Sequence, residues 1–233
     1  LSSIAENLAR VRSRIGRAAE RAGRDPAGVR LVAVSKTFPA QAAREAVEAG
    51  AAIMGENYAQ EAKAKMAALA DLKVEWHFIG RLQTNKAKEV VSGFGLIHSV
   101  DRLKLAQALD RRAAERPEGS PLPVLIQINL AGEETKGGAA ESEAFDLIKD
   151  MAALPNLEPR GLMVMPPFFD QPERARPFFS RLARLAREAR ERTGLALPEL
   201  SMGMSGDFEV AVEEGATLVR VGSAIFGDRN KRN

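Results

Sequence analysis

A chain of 233 residues, 45% of them hydrophobic, can bury one sizeable core or two small ones. It has no cysteine and only two histidines, His77 and His98, which excludes a disulfide framework, thiolate catalysis and cysteine- or histidine-rich metal sites. The net charge of +3 is only mildly basic, and no apolar run approaches the length of a membrane span.

The first segment places Ile4, Leu8, Val11 and Ile15 at steps of four, three and four, which predicts an amphipathic helix ending near Gly23. The chain opens Leu1-Ser2-Ser3 and enters this segment at once, so no secretory signal is expected and a soluble cytoplasmic protein is. After Gly23 short apolar runs alternate with helical patterns. Strands are predicted near 30–35, 51–55, 74–79, 95–100, 124–128, 160–165, 199–203 and 217–222. Helices are predicted near 40–49, 58–70, 84–91, 101–115, 141–154, 172–193 and 207–214. Gly50, Gly194 and Gly215 stand where helices should release the chain, Asp101 and Asp207 where helices should start, and Pro155 ends the fifth of these helices. Residues 116–123, with three prolines, read as a surface loop. In the long helix Arg181, Arg184, Arg187 and Arg190 recur every three residues, but Glu188 and Glu191 interleave them, so the stripe reads as a solvated face and no nucleic acid is expected.

Eight strands with helices between them predict an α/β fold: a single (β/α)8 barrel domain over 1–233 with an extra N-terminal helix. A doubly wound open sheet is the alternative; the strand count and the lack of a glycine-rich fingerprint after the first strand argue against it. Only Asp228 to Asn233 follow the last strand, so the usual eighth helix is expected to be missing, with the N-terminal helix over the gap and no second domain.

In such a barrel the chemistry collects where strands end. The first strand, Leu31-Val32-Ala33-Val34-Ser35, delivers Lys36 to that face, where a dry pocket would favour a nucleophilic amine; from this stretch alone, a lysine that snorkels to water at a strand end is the plainer alternative. The second ends in Glu56-Asn57-Tyr58, the third carries His77 and ends at Gly80-Arg81, the fourth carries His98 and Ser99, and the fifth ends in Asn129. Ser205-Gly206-Asp207 opens a helix after the seventh strand and Gly222-Ser223 follows the eighth, the parts a phosphate cradle needs: glycines that let backbone N–H groups approach, a hydroxyl, and a helix start. Arg220 sits inside an apolar strand and needs a partner, either a carboxylate such as Glu75 or an acceptor atom of a ligand. An amine, a phosphate cradle and a buried arginine together suggest pyridoxal 5'-phosphate: a Schiff base on Lys36, and Arg220 facing the pyridine nitrogen. Met163, Met165, Met202 and Met204, at alternate strand positions, read as barrel packing. Tyr58 reads as packing on the barrel rim and Lys136 as a solvated loop lysine.

Several segments carry a resemblance. Val34-Ser35-Lys36-Thr37, Gly55-Glu56-Asn57-Tyr58-Ala59-Gln60-Glu61, Trp76 through Lys86, Gly161-Leu162-Met163-Val164-Met165, and Leu200 through Gly227 are similar, in this order, to the pyridoxal phosphate homeostasis protein family. The resemblance implies a barrel like the N-terminal domain of alanine racemase, with the cofactor on Lys36, phosphate contacts from Ser205, Gly222 and Ser223, and Arg220 at the ring nitrogen. It places Asn57 and His77 near the cofactor, and implies a role in cofactor homeostasis without robust catalysis. Lys36 is then an attachment site and no catalytic residue is assigned. Candidate partners are the cofactor itself, apo-enzymes that use it, and amino or keto acids; a monomer is expected.

A two-base racemase also needs a second proton donor on the opposite face of the substrate. In the racemases the resemblance implies, this is a tyrosine from a partner subunit and a further domain, whereas this chain has one tyrosine, Tyr58. A racemase or decarboxylase using the same cofactor is the alternative function; a cofactor-free barrel with a Schiff-base lysine acting on a sugar phosphate is a third.

Overall fold

The computed structural model describes residues 2–116, 119–133 and 137–227. Helix α1 (Ile4–Arg21) begins in a capping box: the Ser3 hydroxyl accepts from the Glu6 N–H and the Glu6 carboxylate from the Ser3 N–H. The chain then runs β1 (Arg30–Val34), α2 (Ala40–Glu48), β2 (Ile53–Glu56), α3 (Ala59–Ala68), β3 (Glu75–Phe78), α4 (Ala87–Val90), β4 (Leu96–Val100) and α5 (Leu103–Ala113). It continues through β5 (Leu122–Asn129), β6 (Ala139–Ala140), α6 (Ala144–Ala152), β7 (Leu157–Val164), α7 (Arg176–Thr193), β8 (Glu199–Ser201), α8 (Phe208–Glu213), β9 (Leu218–Val221) and α9 (Ser223–Phe226).

The eight expected strands are β1 to β5 and β7 to β9. Each pairs in parallel with the next, β4 pairs with β5, and β9 returns to β1, so the sheet closes and the open-sheet alternative falls. The two-residue β6 only lies against the end of β5. Strands β5 and β7 begin two and three residues before the expected positions, because Pro123 and Pro159 sit inside their paired openings: Pro123 is opposite Glu158 and Val124 opposite Pro159, followed by a register shift. Proline is tolerated there because a strand's first residues need not all donate to the ladder.

Alternation along the strands divides the apolar residues between two cores. Val32, Ile53, Leu96, Leu125, Met163 and Leu218 face the lumen, and the larger core lies between the barrel wall and the helices. Among the described residues, the gap after β9 holds the one-turn α9, a helix too short to leave a periodic signature. Helix α1 covers it: Asn7 Nδ2 donates to the Ile225 carbonyl at 2.9 Å, and Arg14 and Arg21 pair with Glu209 and Glu213 on α8.

Two helix starts differ from expectation. Arg102, not Asp101, directly precedes α5, and the Asp101 carboxylate instead accepts from the Gly138 N–H and pairs with Arg102. Asp207 does precede α8, but its carboxylate turns back to accept from the Met204 N–H at 2.6 Å. On α7 the arginine stripe is broken up: Arg181 pairs with Glu141 and Glu188, while Arg190 donates to the carbonyls of Ala196 and Leu197. Among the described residues no helix is long and apolar enough to cross a membrane.

Candidate functional site

A cavity of about 820 Å³ opens at the carboxyl ends of β1, β8 and β9. Lys36, Asn57, Ser205, Gly206, Arg220, Gly222 and Ser223 all line it, seven of the eight residues singled out from the sequence. The chain folds them together because β9 pairs with β1, Val32 opposite Arg220 and Ala33 opposite Val221, which brings residues nearly two hundred positions apart to one rim. Apolar walls come from Val34, Phe38, Ile79, Met165 and Met204, with Phe168 84% exposed at the mouth.

The Lys36 backbone is held from outside the barrel wall by a buried charged cluster. Ser35 and Glu56 follow inward-facing Val34 and Gly55, so alternation turns both toward α3. There Lys65, 3% exposed, donates to the Ser35 carbonyl at 2.6 Å and to the carboxylates of Glu56 at 2.7 Å and Glu61 at 2.8 Å. Ser35 Oγ donates to Glu56 at 2.5 Å, and Glu61 accepts the Thr37 N–H at 2.6 Å. Thr37 is held at φ +68, a conformation that non-glycine residues rarely adopt. Both residues flanking Lys36 are thereby fixed. Burial pushes the Glu56 carboxyl up from its ordinary range, against the pull of Lys65 and Ser35.

The cradle forms around the Ser205 hydroxyl, which accepts from the backbone N–H groups of Gly222 at 3.2 Å and Ala224 at 3.3 Å. Asn57 is set by a close crossing: a Cβ at Gly80 would lie 2.1 Å from the Asn57 carbonyl oxygen, so only glycine lets the end of β3 pass there. The Asn57 Oδ1 is buried with no hydrogen-bond partner among the described residues, an acceptor that a ligand donor would satisfy.

Arg220 is 4% exposed and donates through Nη1 to Ser201 Oγ at 2.6 Å and through Nη2 to the Val164 carbonyl at 3.0 Å. Its partner is therefore not Glu75, which bonds His77 instead. A guanidinium carries five N–H donors, so those not spent on the wall remain for the cavity that Arg220 lines. Burial lowers its pKa to about 10, which leaves it charged at neutral pH.

His77 departs from the expected set. It does not line the cavity; its ring is fully buried in the lumen, bonded to Glu75 and His98. Met165 and Met204 line the cavity rather than serving as packing alone, whereas Met163 packs in the lumen and Met202 in the outer core. Tyr58 is 60% exposed, so it does not pack on the rim; with Arg81, Lys86 and Asn129 it lines a neighbouring cavity of about 1410 Å³. Lys136 lies outside the described residues.

The Lys65 cluster and the part played by Ser201 escape a reading along the chain. Lys65 sits in an alanine-rich helix beside Lys63 and looks solvated; the only local signal is Glu61 four residues earlier. Ser201 gains its meaning only when the barrel closes.

The residues present fit the cofactor suggested by the sequence: an amine, a hydroxyl among N–H donors, an arginine with donors to spare and an unpaired buried amide oxygen share one cavity. Comparison with known proteins points the same way. Residues 2–230 match the family model described as alanine racemase, N-terminal domain. The chain is 49% identical over 231 residues to the pyridoxal phosphate homeostasis protein of Pseudomonas aeruginosa, covering 99% of this chain and 97% of that one. It is 47% identical over 224 residues to the protein of the same name from Aquifex aeolicus, covering 96% and 97%. Among solved structures, PipY of Synechococcus elongatus with PLP bound superposes with a TM-score of 0.86 at 40% identity, covering 97% of this chain and 100% of that one.

Proposed function

This chain belongs to the pyridoxal phosphate homeostasis protein family, within the wider alanine racemase N-terminal domain family, and we propose that it binds pyridoxal 5'-phosphate on Lys36 and holds it for cofactor homeostasis. The observation that carries this reading is the convergence of Lys36, Ser205, Gly222 and Arg220 on one cavity. When bound, the cofactor supplies an aldehyde carbon that an amine takes up reversibly. Lys36 Nζ would provide that amine. Ser205, Gly222 and Ser223 would hold the phosphate, with Gly206 on the same rim, and Asn57 Oδ1 would accept from a donor such as the ring hydroxyl. Arg220 would donate to the ring nitrogen through an N–H not spent on Ser201 or Val164.

Two features support holding over turnover. A guanidinium donates a hydrogen bond yet keeps its proton, so the ring nitrogen stays unprotonated and a poor electron sink. Tyr58, the chain's single tyrosine, opens onto the neighbouring cavity and not onto this one. We place the protein in the cytoplasm as a monomeric single barrel that exchanges the cofactor with apo-enzymes or with amino and keto acids. The commitment of the large apolar residues to the two cores supports the monomer: among the described residues only Tyr58 and Phe168 are large, apolar and exposed.

The test is the absorption spectrum of the purified protein after incubation with pyridoxal phosphate. A visible band in the wild type that Lys36→Ala abolishes is the expected result; a colourless wild type, or a band that survives in Lys36→Ala, contradicts the assignment.

A further inference from the structure

The barrel lumen is lined mostly by aliphatic side chains, yet one layer of it is polar. Two residues on from the lumen-facing Leu218, Leu96 and Ile53, alternation brings Arg220, His98 and Gly55 to the same face, and beside them His77 and Ser201 follow Glu75 and Glu199. The small Gly55 leaves room, and the other four side chains connect. Arg220 Nη1 lies 2.6 Å from Ser201 Oγ, Ser201 Oγ 2.8 Å from His98 Nδ1, His98 Nε2 2.9 Å from His77 Nδ1, and His77 Nε2 2.8 Å from Glu75 Oε1. Glu75 has a 44% exposed side chain and lines a cavity of about 410 Å³ at the amino end of the barrel, together with Arg12 and Arg30. The connected groups thus run from one end of the barrel to the other.

Only one arrangement of protons satisfies every link with both imidazoles neutral. A carboxylate accepts, so His77 donates from Nε2 and accepts at Nδ1. His98 must then donate from Nε2 and accept at Nδ1, so the Ser201 hydroxyl donates to His98 and accepts from Arg220. The guanidinium is a pure donor, so the two ends fix the same direction: every donor points away from Arg220 and toward Glu75. Burial lowers the pKa of both histidines, His98 well below its usual value, which keeps them neutral. Arg30 and Glu199, ion-paired at 2.6 Å, are the other charges felt by the pair.

We propose that Ser201, His98, His77 and Glu75 are positioning residues for Arg220: acting through this directed chain, they fix the orientation of its guanidinium and so set its hydrogen bond to the ring nitrogen of the bound cofactor. The proposal rests on the reading of the cavity as a pyridoxal phosphate site. Each link polarises the next in a low-dielectric lumen, so a change at the amino mouth of the barrel reaches the ring at the other end. A chain that only satisfied buried polar groups would stabilise the fold and leave the cofactor's electronic state alone.

The test uses protein loaded with pyridoxal phosphate and reads the pH midpoint of its visible band. Glu75 is half-exposed and remote from the cofactor, so its replacement is tolerable to the fold. Glu75→Leu removes the terminal acceptor and frees His77 to change tautomer; the midpoint should move by at least about 0.3 pH unit, a roughly two-fold change in proton affinity. Glu75→Gln keeps an oxygen acceptor and should restore most of the wild-type midpoint. Ser201→Ala, next to Arg220, should move it further than Glu75→Leu. If all three variants keep the wild-type midpoint while only their melting temperatures fall, the chain is structural and the proposal is overturned. If wild type shows no visible band, the cofactor reading itself has failed, and the proposal with it. A check that needs no variant is ¹⁵N NMR of the histidines: both should be Nε2–H tautomers, and an Nδ1–H tautomer at either overturns the direction of the chain.

Discussion

Two buried polar assemblies flank the cavity, and they are built on opposite principles. The Lys65 cluster is charged and local: Ser35, Glu56, Glu61 and Lys65 span two strands and one helix outside the barrel wall. The lumen chain is drawn from β3, β4, β8 and β9, and both of its histidines are held neutral. The first grips the backbone on either side of Lys36, the second a single side chain, Arg220. On the proposed reading Lys36 is a covalent attachment point, which needs its backbone held against strain, and its neighbour Thr37, at φ +68, carries such strain. A hydrogen-bond donor needs its direction fixed: the groups bonded to Arg220 are neutral, and the one carboxylate that acts on it, Asp207, is turned to the Met204 N–H instead. Charge suits the first task and neutral polar groups the second.

The sharpest way to break this contrast is to remove one charge from the cluster. Lys65→Met leaves Glu56 buried and uncompensated, and should cost about 3–5 kcal/mol in denaturant unfolding. A loss under about 1 kcal/mol, the scale of an exposed pair, would show that the cluster is not holding the wall. In the lumen, His98→Phe keeps an aromatic ring but strands the acceptor of His77 and the hydroxyl of Ser201, with an expected loss of about 1–3 kcal/mol.

Acid should separate the assemblies by sign. Both histidines of the chain lie in the lumen chain, and burial lowers their folded pKa values. Below the unfolded value of about 6.5 the unfolded chain takes up protons that the folded one refuses, so stability falls as pH drops from about 6.5 toward 5, by at most about 1.4 kcal/mol per pH unit for each histidine. Glu56 acts in the opposite sense: its folded pKa is raised, so its contribution improves as pH falls. Subtracting the pH profile of His98→Phe from that of wild type isolates the His98 part; a difference that is flat over this window would mean that His98 is not buried neutral. The smallest effect is expected at the cradle. Ser205→Ala removes the acceptor of two N–H groups at the open rim and should cost about 1 kcal/mol without cofactor, while the hold on pyridoxal phosphate in equilibrium dialysis weakens roughly ten-fold.

The barrel was legible because each strand is a short apolar run bounded by glycine or proline, and only runs opening on Pro123 and Pro159 were read short. Lys36, Ser205, Gly222 and Arg220 were legible because their chemistry stands out against an apolar strand or a helical pattern. His77 was misplaced for a geometric reason: it is two residues short of Ile79, which directly follows β3 and lines the cavity, and alternation leaves it one layer deeper in the lumen. The lumen chain could not be read along the sequence, since its links join residues up to 103 positions apart and exist only once the sheet closes.

The central claim is that Lys36 is the attachment point. Reduction of the cofactor-loaded protein with borohydride, followed by proteolysis and mass spectrometry, tests it most directly. The account predicts one stable pyridoxyl phosphate adduct, on the peptide containing Lys36, and none on that peptide in Lys36→Ala. An adduct of equal yield that maps to another lysine, or that persists in Lys36→Ala, would contradict it.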